Sequence, residues 1–463
     1  MTVDLSAPIR SGGVASPSRP GTGRGADLYL AFLGVVLSGY ALDGRGFAYL
    51  GVPPLFIGEV AMLLGLVVLW RSRGWIPLLR MPPAMALLPL SAWGMVRTGP
   101  YVSEYGANAL RDAAVWGYSA FSWIIAGILI AKPSRLTWLV RGYRRLARTL
   151  VLGLPLVALV YRSMWTSLPR WPGTVVPMIF LKEGDALVHF SGVLAFWVSG
   201  FGGRVGWPWL SALAASVAVL GMVDRAGLIS FMAVMALCVT LWPRSTVPWR
   251  IIAMTCVAVL VLWVTDLRID VPEGKNRQIS FDQILRNVSS MVGDSDNEGL
   301  DGTKTWRLNW WTDIVDYTFN GRHFWTGKGF GVNLADDDGF QVLADGSLRT
   351  PHNVHLNFLA RAGVPGLALW ALAQGAWGCA ILRAFLKSRR ARDRDWLGLF
   401  LFLGCFWTAC MINASFDVFL EGPVGGVWFW SIYGVGLAAL SIHHRCPEAI
   451  RAAAPPADPP SQI

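Results

Sequence analysis

Apolar stretches of about 20 residues, the length a helix needs to cross a bilayer, recur along this chain from Leu28 to Ile442. They leave no room for a large soluble domain. Only 15% of the residues are charged against 54% hydrophobic, so the solvent for most of the chain is lipid. The expected fold is an all-α integral membrane protein with about twelve transmembrane helices, at roughly 27–42, 55–70, 83–97, 113–131, 148–163, 185–200, 207–223, 226–242, 250–266, 353–382, 396–412 and 424–442.

The net charge of +11 does not point to nucleic acid, because the basic residues sit in short loops between apolar segments. They cluster at Arg71, Arg73 and Arg80, from Lys132 to Arg148, at Arg244 and Arg250, and from Arg383 to Arg394, at every second loop. That alternation puts these loops and both termini in the cytoplasm. The Lys132–Arg148 run is expected to lie on anionic membrane lipid. Residues 1–26 read as a disordered cytoplasmic tail without the apolar core of a signal peptide, 27–266 as the first nine helices, 352–442 as the last three, and 443–463 as a second cytoplasmic tail. The six cysteines suggest neither a disulfide framework nor a metal cluster.

The same parity makes 267–351 a periplasmic loop of a different kind. It carries 13 acidic and 9 basic residues between Arg268 and Arg349, which leaves +15 for the rest of the chain. A structureless loop of this length is uncommon, so a small folded cap is expected. Trp306–Phe319 has apolar residues at helical spacing, and Gly327–Gly331 (Gly-Lys-Gly-Phe-Gly) reads as a turn without the spacing of a nucleotide loop.

Polar groups gather where this segment meets the tenth helix, in the stretch from Arg349 to Gly366. Pro351 suits a first helical turn, and His352, His355 and Leu359 share a helix face. Two imidazoles at a helix N-terminus, with its free N–H groups, offer a seat for phosphate; they can equally be interfacial capping groups. No Cys, Asp or Glu lies near at zinc-ligand spacing.

His352-Asn353, nine residues, then Gly363-Val364-Pro365-Gly366 resembles the signature of the bacterial O-antigen ligase and Wzy-type O-antigen polymerase superfamily. Asp224-Arg225-Ala226-Gly227 is similar to the family's arginine corner, although Asp stands where Ser is usual and Ala precedes the Gly. Arg307-Leu-Asn-Trp-Trp leading to the Gly327–Gly331 turn resembles its external-loop pattern.

The resemblance implies an inverting glycosyltransferase that needs no metal or other cofactor and uses an undecaprenyl-diphosphate-linked oligosaccharide. His352 would be the general base and Arg225 and Arg307 the diphosphate ligands, since a guanidinium can meet phosphate oxygens with two parallel hydrogen bonds. Read without the resemblance, Arg225 can snorkel to headgroups or pair with Asp224, and Arg307 can be a solvated loop charge. Asn353 either orients substrate or caps the helix. Asp417 and Glu421 resemble the family's late acidic position and are candidates for the acceptor side, or else solvated carboxylates. His355 is a further candidate. Arg361 is costly in lipid and must face protein or a wet cavity. Arg111-Asp112 reads as an interfacial pair, His189 as a satisfied buried histidine, and most tryptophans as interface anchors.

The acceptor is either a growing glycan, with a chain-length regulator as partner, which makes the protein a polymerase, or lipid A-core, which makes it a ligase. A polysaccharide or lipid transporter is the rival class. The polar groups gather at one face and no internal repeat is visible, which favours an enzyme.

Overall fold

The computed structural model describes residues 22–221, 223–265, 269–270, 278–279 and 298–453. Residues 1–21 and 454–463 of the expected tails and the first part of the expected cap lie outside the described residues. A helix overlies every expected span: α1 (Thr22–Asp43), α2 (Ile57–Ser72), α3 (Leu87–Tyr105), the pair α4 (Ala107–Gly117) and α5 (Ala120–Ala131), α6 (Ser134–Met164), α7 (Glu183–Val198), α8 (Trp207–Gly221), α9 (Arg225–Leu241) and α10 (Val247–Thr265). After the cap helix α11 (Glu298–Phe319) come α12 (Val354–Arg390), α13 (Arg394–Ala414) and α14 (Pro423–Arg445). Among the described residues six helices are long and apolar enough to cross a membrane, and α4 with α5 makes a seventh bent by 44°. The chain is a multi-pass, all-α membrane protein.

Helix α1 begins at Thr22, inside the segment read as a tail. Beyond α14 a 3-10 turn at Pro447–Ala453 packs on α6, and the Trp396 indole donates to the Pro447 carbonyl at 2.7 Å. Trp197, Trp310, Trp370, Trp377, Trp396, Trp428 and Trp430 are buried, while Trp70, Trp138, Trp165, Trp207, Trp249, Trp263 and Trp325 are exposed. An indole N–H away from water needs a partner, and Trp377 and Trp407, for example, donate to the Tyr433 carbonyl and the Gln374 amide oxygen.

Helices α7, α9 and α13 pack on one another at the centre of the bundle. Two glycines set the closest approach there: a Cβ on Gly227 of α9 would lie 2.8 Å from the Cα of Gly184 on α7. This crossing stands one turn from Lys182 and Asp224, so it fixes the distance between two charged residues of the site below.

The cap has its own apolar core. Trp310, Ile314 and Thr318 on α11 are fully buried, and the first two join Leu334, Ala335, Leu348, Leu359 and Ala360. Trp310 also stacks on Phe340 at 5.5 Å and donates to Asp338 at 2.6 Å.

Helix α12 is interrupted at Gly363 (φ 69°, ψ −173°). Pro365 lacks an N–H, and the break leaves carbonyls that a membrane cannot hydrogen-bond. The turn after α11 supplies the partners. Lys328 and Gly329 amides donate to the Ala360 and Arg361 carbonyls at 2.7 and 2.9 Å, the Trp93 indole donates to the Ala362 carbonyl at 2.8 Å, and the Val364 amide donates to the Phe324 carbonyl at 2.8 Å. The Gly-rich turn is thus the plug of a broken helix.

Asp112 ties the parts together, so the expected Arg111-Asp112 pair gives way to longer-range bonds. Its carboxylate accepts from Arg349 Nε and Nη2 (3.1 and 2.8 Å) and the Gly331 amide (3.1 Å), and pairs with Arg361 Nη1 at 3.0 Å. Arg361 is fully buried and also donates to Asn357 and to the carbonyls of Val332 and Arg349. It faces protein, as its cost in lipid demands.

A Cβ on Gly363 would sit 2.5 Å from the Phe324 carbonyl oxygen in a backbone region that L-residues avoid. Gly363→Ala is expected to cost roughly 1–3 kcal/mol from backbone strain alone. A lower thermal midpoint together with faster proteolysis of the 320–333 turn would bear this out; an unchanged midpoint would show that the break does not depend on glycine.

Candidate active site

The residue after Pro351 does not begin a helix. His352 takes a left-handed backbone (φ 55°), and Asn353 is the N-cap of α12, its side-chain oxygen accepting from the amides of His355 and Leu356 at 3.0 and 3.2 Å. Two of the N–H groups expected to seat phosphate are therefore taken by Asn353, and His352 projects from the turn before the helix instead of sharing a face with His355. Positive φ in a non-glycine residue stores strain, and such residues concentrate at functional sites.

His355 is held on both ring nitrogens. The Trp370 indole donates to Nδ1 at 3.0 Å, which makes that nitrogen an acceptor, so Nε2 carries the proton and donates to the Ser415 hydroxyl at 3.2 Å. This imidazole anchors α12 to the α13–α14 loop, two residues from Asp417.

That loop brings the carboxylate to the cap. Arg307, on α11, donates from Nη1 to the Phe416 carbonyl at 2.9 Å, and Trp306 packs edge-on to the His352 ring at 6.4 Å. Asp417 is buried and ion-pairs with Lys182, the residue before α7. Its other oxygen accepts from the Val418 amide at 2.8 Å. His352, Arg307, Lys182 and Asp224 all lie within electrostatic reach of Asp417. Asp224 caps α9 by accepting from the Gly227 amide at 2.8 Å, so the Asp that departs from the family's Ser keeps a good N-capping group there. Arg225 follows as the first residue of α9.

Charge sets the protonation states. Burial and the Arg307 guanidinium push His352 down to about 4, so the imidazole is neutral at physiological pH. Burial would raise Asp417, but the Lys182 ammonium outweighs it and the carboxylate stays ionised. Lys182 stays charged for the reciprocal reason, the attraction of Asp417 outweighing burial. Burial and the Asp417 charge raise Asp224.

The expected residues divide into two groups. His352, Arg307 and Asp417 meet, with Arg225 next to Asp224 at their edge. Glu421 and Arg361 line a cavity of about 50 Å³ with Arg111, Asp112, Arg349 and Thr350, and Glu421 stays within electrostatic reach of Asp417 and Lys182. Burial pushes Glu421 up to about 8. Sequence reasoning missed Lys182, Asp224 as a charged member of the site, and Arg349. Only the departure at Asp224 carried a signal, since Lys182 and Asp417 are far apart in sequence and only the fold brings them together.

One family description fits this region. Residues 210–371 match the O-antigen ligase family model. The matched segment, roughly a third of the chain, is similar to that family and in keeping with the O-antigen ligase/polymerase superfamily. It holds Arg225, Arg307, His352 and the Gly363–Gly366 break, while Lys182 and Asp417 fall outside it. No curated protein matches the chain. The match is to a family of membrane enzymes of O-antigen ligase/polymerase type, which handle a lipid-linked glycan and an acceptor.

If His352 is the base, kcat/KM should fall on the acid side through about 4 instead of the usual 6.5, because burial and Arg307 depress its imidazole in the empty site. Arg307 depresses His352 and Asp417 raises it. Arg307→Met should therefore move the acid limb to higher pH and Asp417→Asn to lower pH, measured as kcat/KM against pH. A limb near 6.5 that ignores both changes would remove His352 from the role of base.

Proposed function

We propose that this protein joins lipid-linked oligosaccharide repeats at the external face of the bacterial inner membrane, as a polysaccharide polymerase using an undecaprenyl-diphosphate-linked donor. In this reading the chain crosses twelve times with both termini in the cytoplasm, and the 267–351 segment caps the site from outside. The observation that carries the reading is the meeting of a neutral, strained His352 with Arg307 and Asp417 beneath the cap, in a chain whose 210–371 segment matches the O-antigen ligase family.

The chemistry follows from the charges. A hydroxyl oxygen of the acceptor sugar attacks the anomeric carbon of the donor as the bond from that carbon to the diphosphate oxygen breaks. The bonding pair leaves with the diphosphate, and the hydroxyl proton passes to the His352 ring nitrogen. Attack opposite the leaving group inverts the anomeric centre. Arg307 and Arg225 neutralise the charge that grows on the departing diphosphate, where a preorganised cation acts most strongly. A histidine kept neutral by burial is ready to accept the proton, and the imidazolium that forms is compensated by Asp417. Polymerisation is the simpler form of this transfer, because one class of molecule serves as donor and acceptor; a ligase performs the same step with lipid A-core as acceptor.

The test is glycan analysis in a deletion strain complemented at matched membrane levels with wild type, His352→Ala or Arg225→Ala. Loss of a general base costs about 100- to 10,000-fold in rate. Single lipid-linked repeats should accumulate in both variants. Long lipid-linked chains that never reach lipid A-core would mark a ligase, and wild-type glycans from both variants would overturn the catalytic assignment.

A further inference from the structure

The Lys182–Asp417 pair has a use beyond structure. Lys182 ends the loop before α7, and its side chain is 39% exposed while that of Asp417 is 8% exposed. Lys182 is thus the less enclosed partner of the pair. It is a compact charge on a flexible stem, whereas Arg307 is tied by Nη1 to the Phe416 carbonyl. Around Asp417 stand Lys182, Arg307 and His352, with Asp185 and Asp224 as further carboxylates near Lys182, Glu183 near Asp224, and Glu421 near Asp417 and Lys182. Asp417 is the one of these carboxylates that lies against both the ammonium and the imidazole.

We propose that Lys182 is a third cation of the diphosphate site, held by Asp417 while the site is empty, and that the arriving diphosphate takes Lys182 over and leaves Asp417 to face His352. The inference rests on the lipid-diphosphate reading above. Breaking an ion pair inside a protein is costly when it leaves a charge alone, but here both partners are compensated: the ammonium by phosphate oxygens, the carboxylate by the imidazole as it gains its proton. The exchange also couples binding to chemistry. Without donor, Asp417 is neutralised by Lys182 and the imidazole stays weakly basic; with donor bound, an uncompensated carboxylate beside the ring strengthens the base when a proton must be taken.

The test is binding of farnesyl diphosphate, a short lipid diphosphate, to the full-length protein in nanodiscs by calorimetry, with the thermal midpoint of each variant recorded. Lys182→Gln should weaken binding roughly 10- to 100-fold, the worth of a hydrogen bond to a charged group. Lys182→Arg should recover part of it. Asp417→Asn should instead bind several-fold more tightly than wild type, with the competing carboxylate gone, while its kcat falls. The double variant should bind no more tightly than Lys182→Gln. Opposite signs from the two partners of one ion pair are not what general damage to the fold produces. Lys182→Gln binding like wild type, or folded Asp417→Asn binding more weakly than wild type, would overturn the proposal. Failure of wild type itself to bind farnesyl diphosphate would overturn the lipid-diphosphate reading and this inference with it, a result separable from a wild type that binds without regard to Lys182.

Discussion

The carboxylate of Asp112 is the joint on which the described cap depends. It sits on α4, at the bent span, and receives two guanidinium groups and a backbone amide: Arg349 from the strand of chain leading to His352, Arg361 from the first segment of α12, and Gly331 from the turn that plugs the helix break. Three stretches far apart in sequence are thereby held to one point. A buried carboxylate with two guanidinium partners is stable only because every donor around it is used, and removal of one partner from such a network typically costs about 3–5 kcal/mol.

This dependence explains what the sequence could and could not reveal. Periodicity and length located a helix at each of the expected spans because lipid leaves few alternatives to a helix. The division of the 113–131 span into α4 and α5 and the interruption of α12 were less visible. Gly363 and Pro365 announced a break, but the break is tolerable only because Lys328, Gly329 and Trp93 supply donors from elsewhere in the chain. His352, Arg225 and Arg307 were legible because they stand in local patterns that resemble a family. Lys182 stands in no pattern. Its meaning comes from a partner distant in the sequence, and the packing of α7 against α9 and α13 brings the two together.

The candidate site balances its charge with few groups. Lys182 and Arg307 offset Asp417 and, in part, Asp224, and the imidazole is left neutral among them. In a region of low dielectric such a balance is steep: a doubly charged ligand cannot enter without rearranging some of the existing pairs. Arg307 is tethered to a carbonyl and Asp224 to the N-terminus of α9, so these two define the frame. Lys182, half-buried and on a flexible stem, is the member with freedom to move.

The spacing of the signature also acquires a physical meaning. The nine residues between Asn353 and Gly363 are a helical segment closed at both ends, by the Asn353 side chain on the amides of His355 and Leu356 and by the left-handed Gly363 at the other end. Arg361 pins this segment to Asp112, and His355 pins it to Trp370 and Ser415. A segment fixed in length and at two points along it leaves little latitude to the residue that precedes its cap. The strained backbone of His352 follows from that: the chain must enter the capped helix at one place and bring the imidazole toward Trp306 and Arg307, and the left-handed turn does both. A change of one residue in the spacing would rotate the capped end by about 100° relative to the pins, moving the ring away from the cation and the carboxylate that define its charge state.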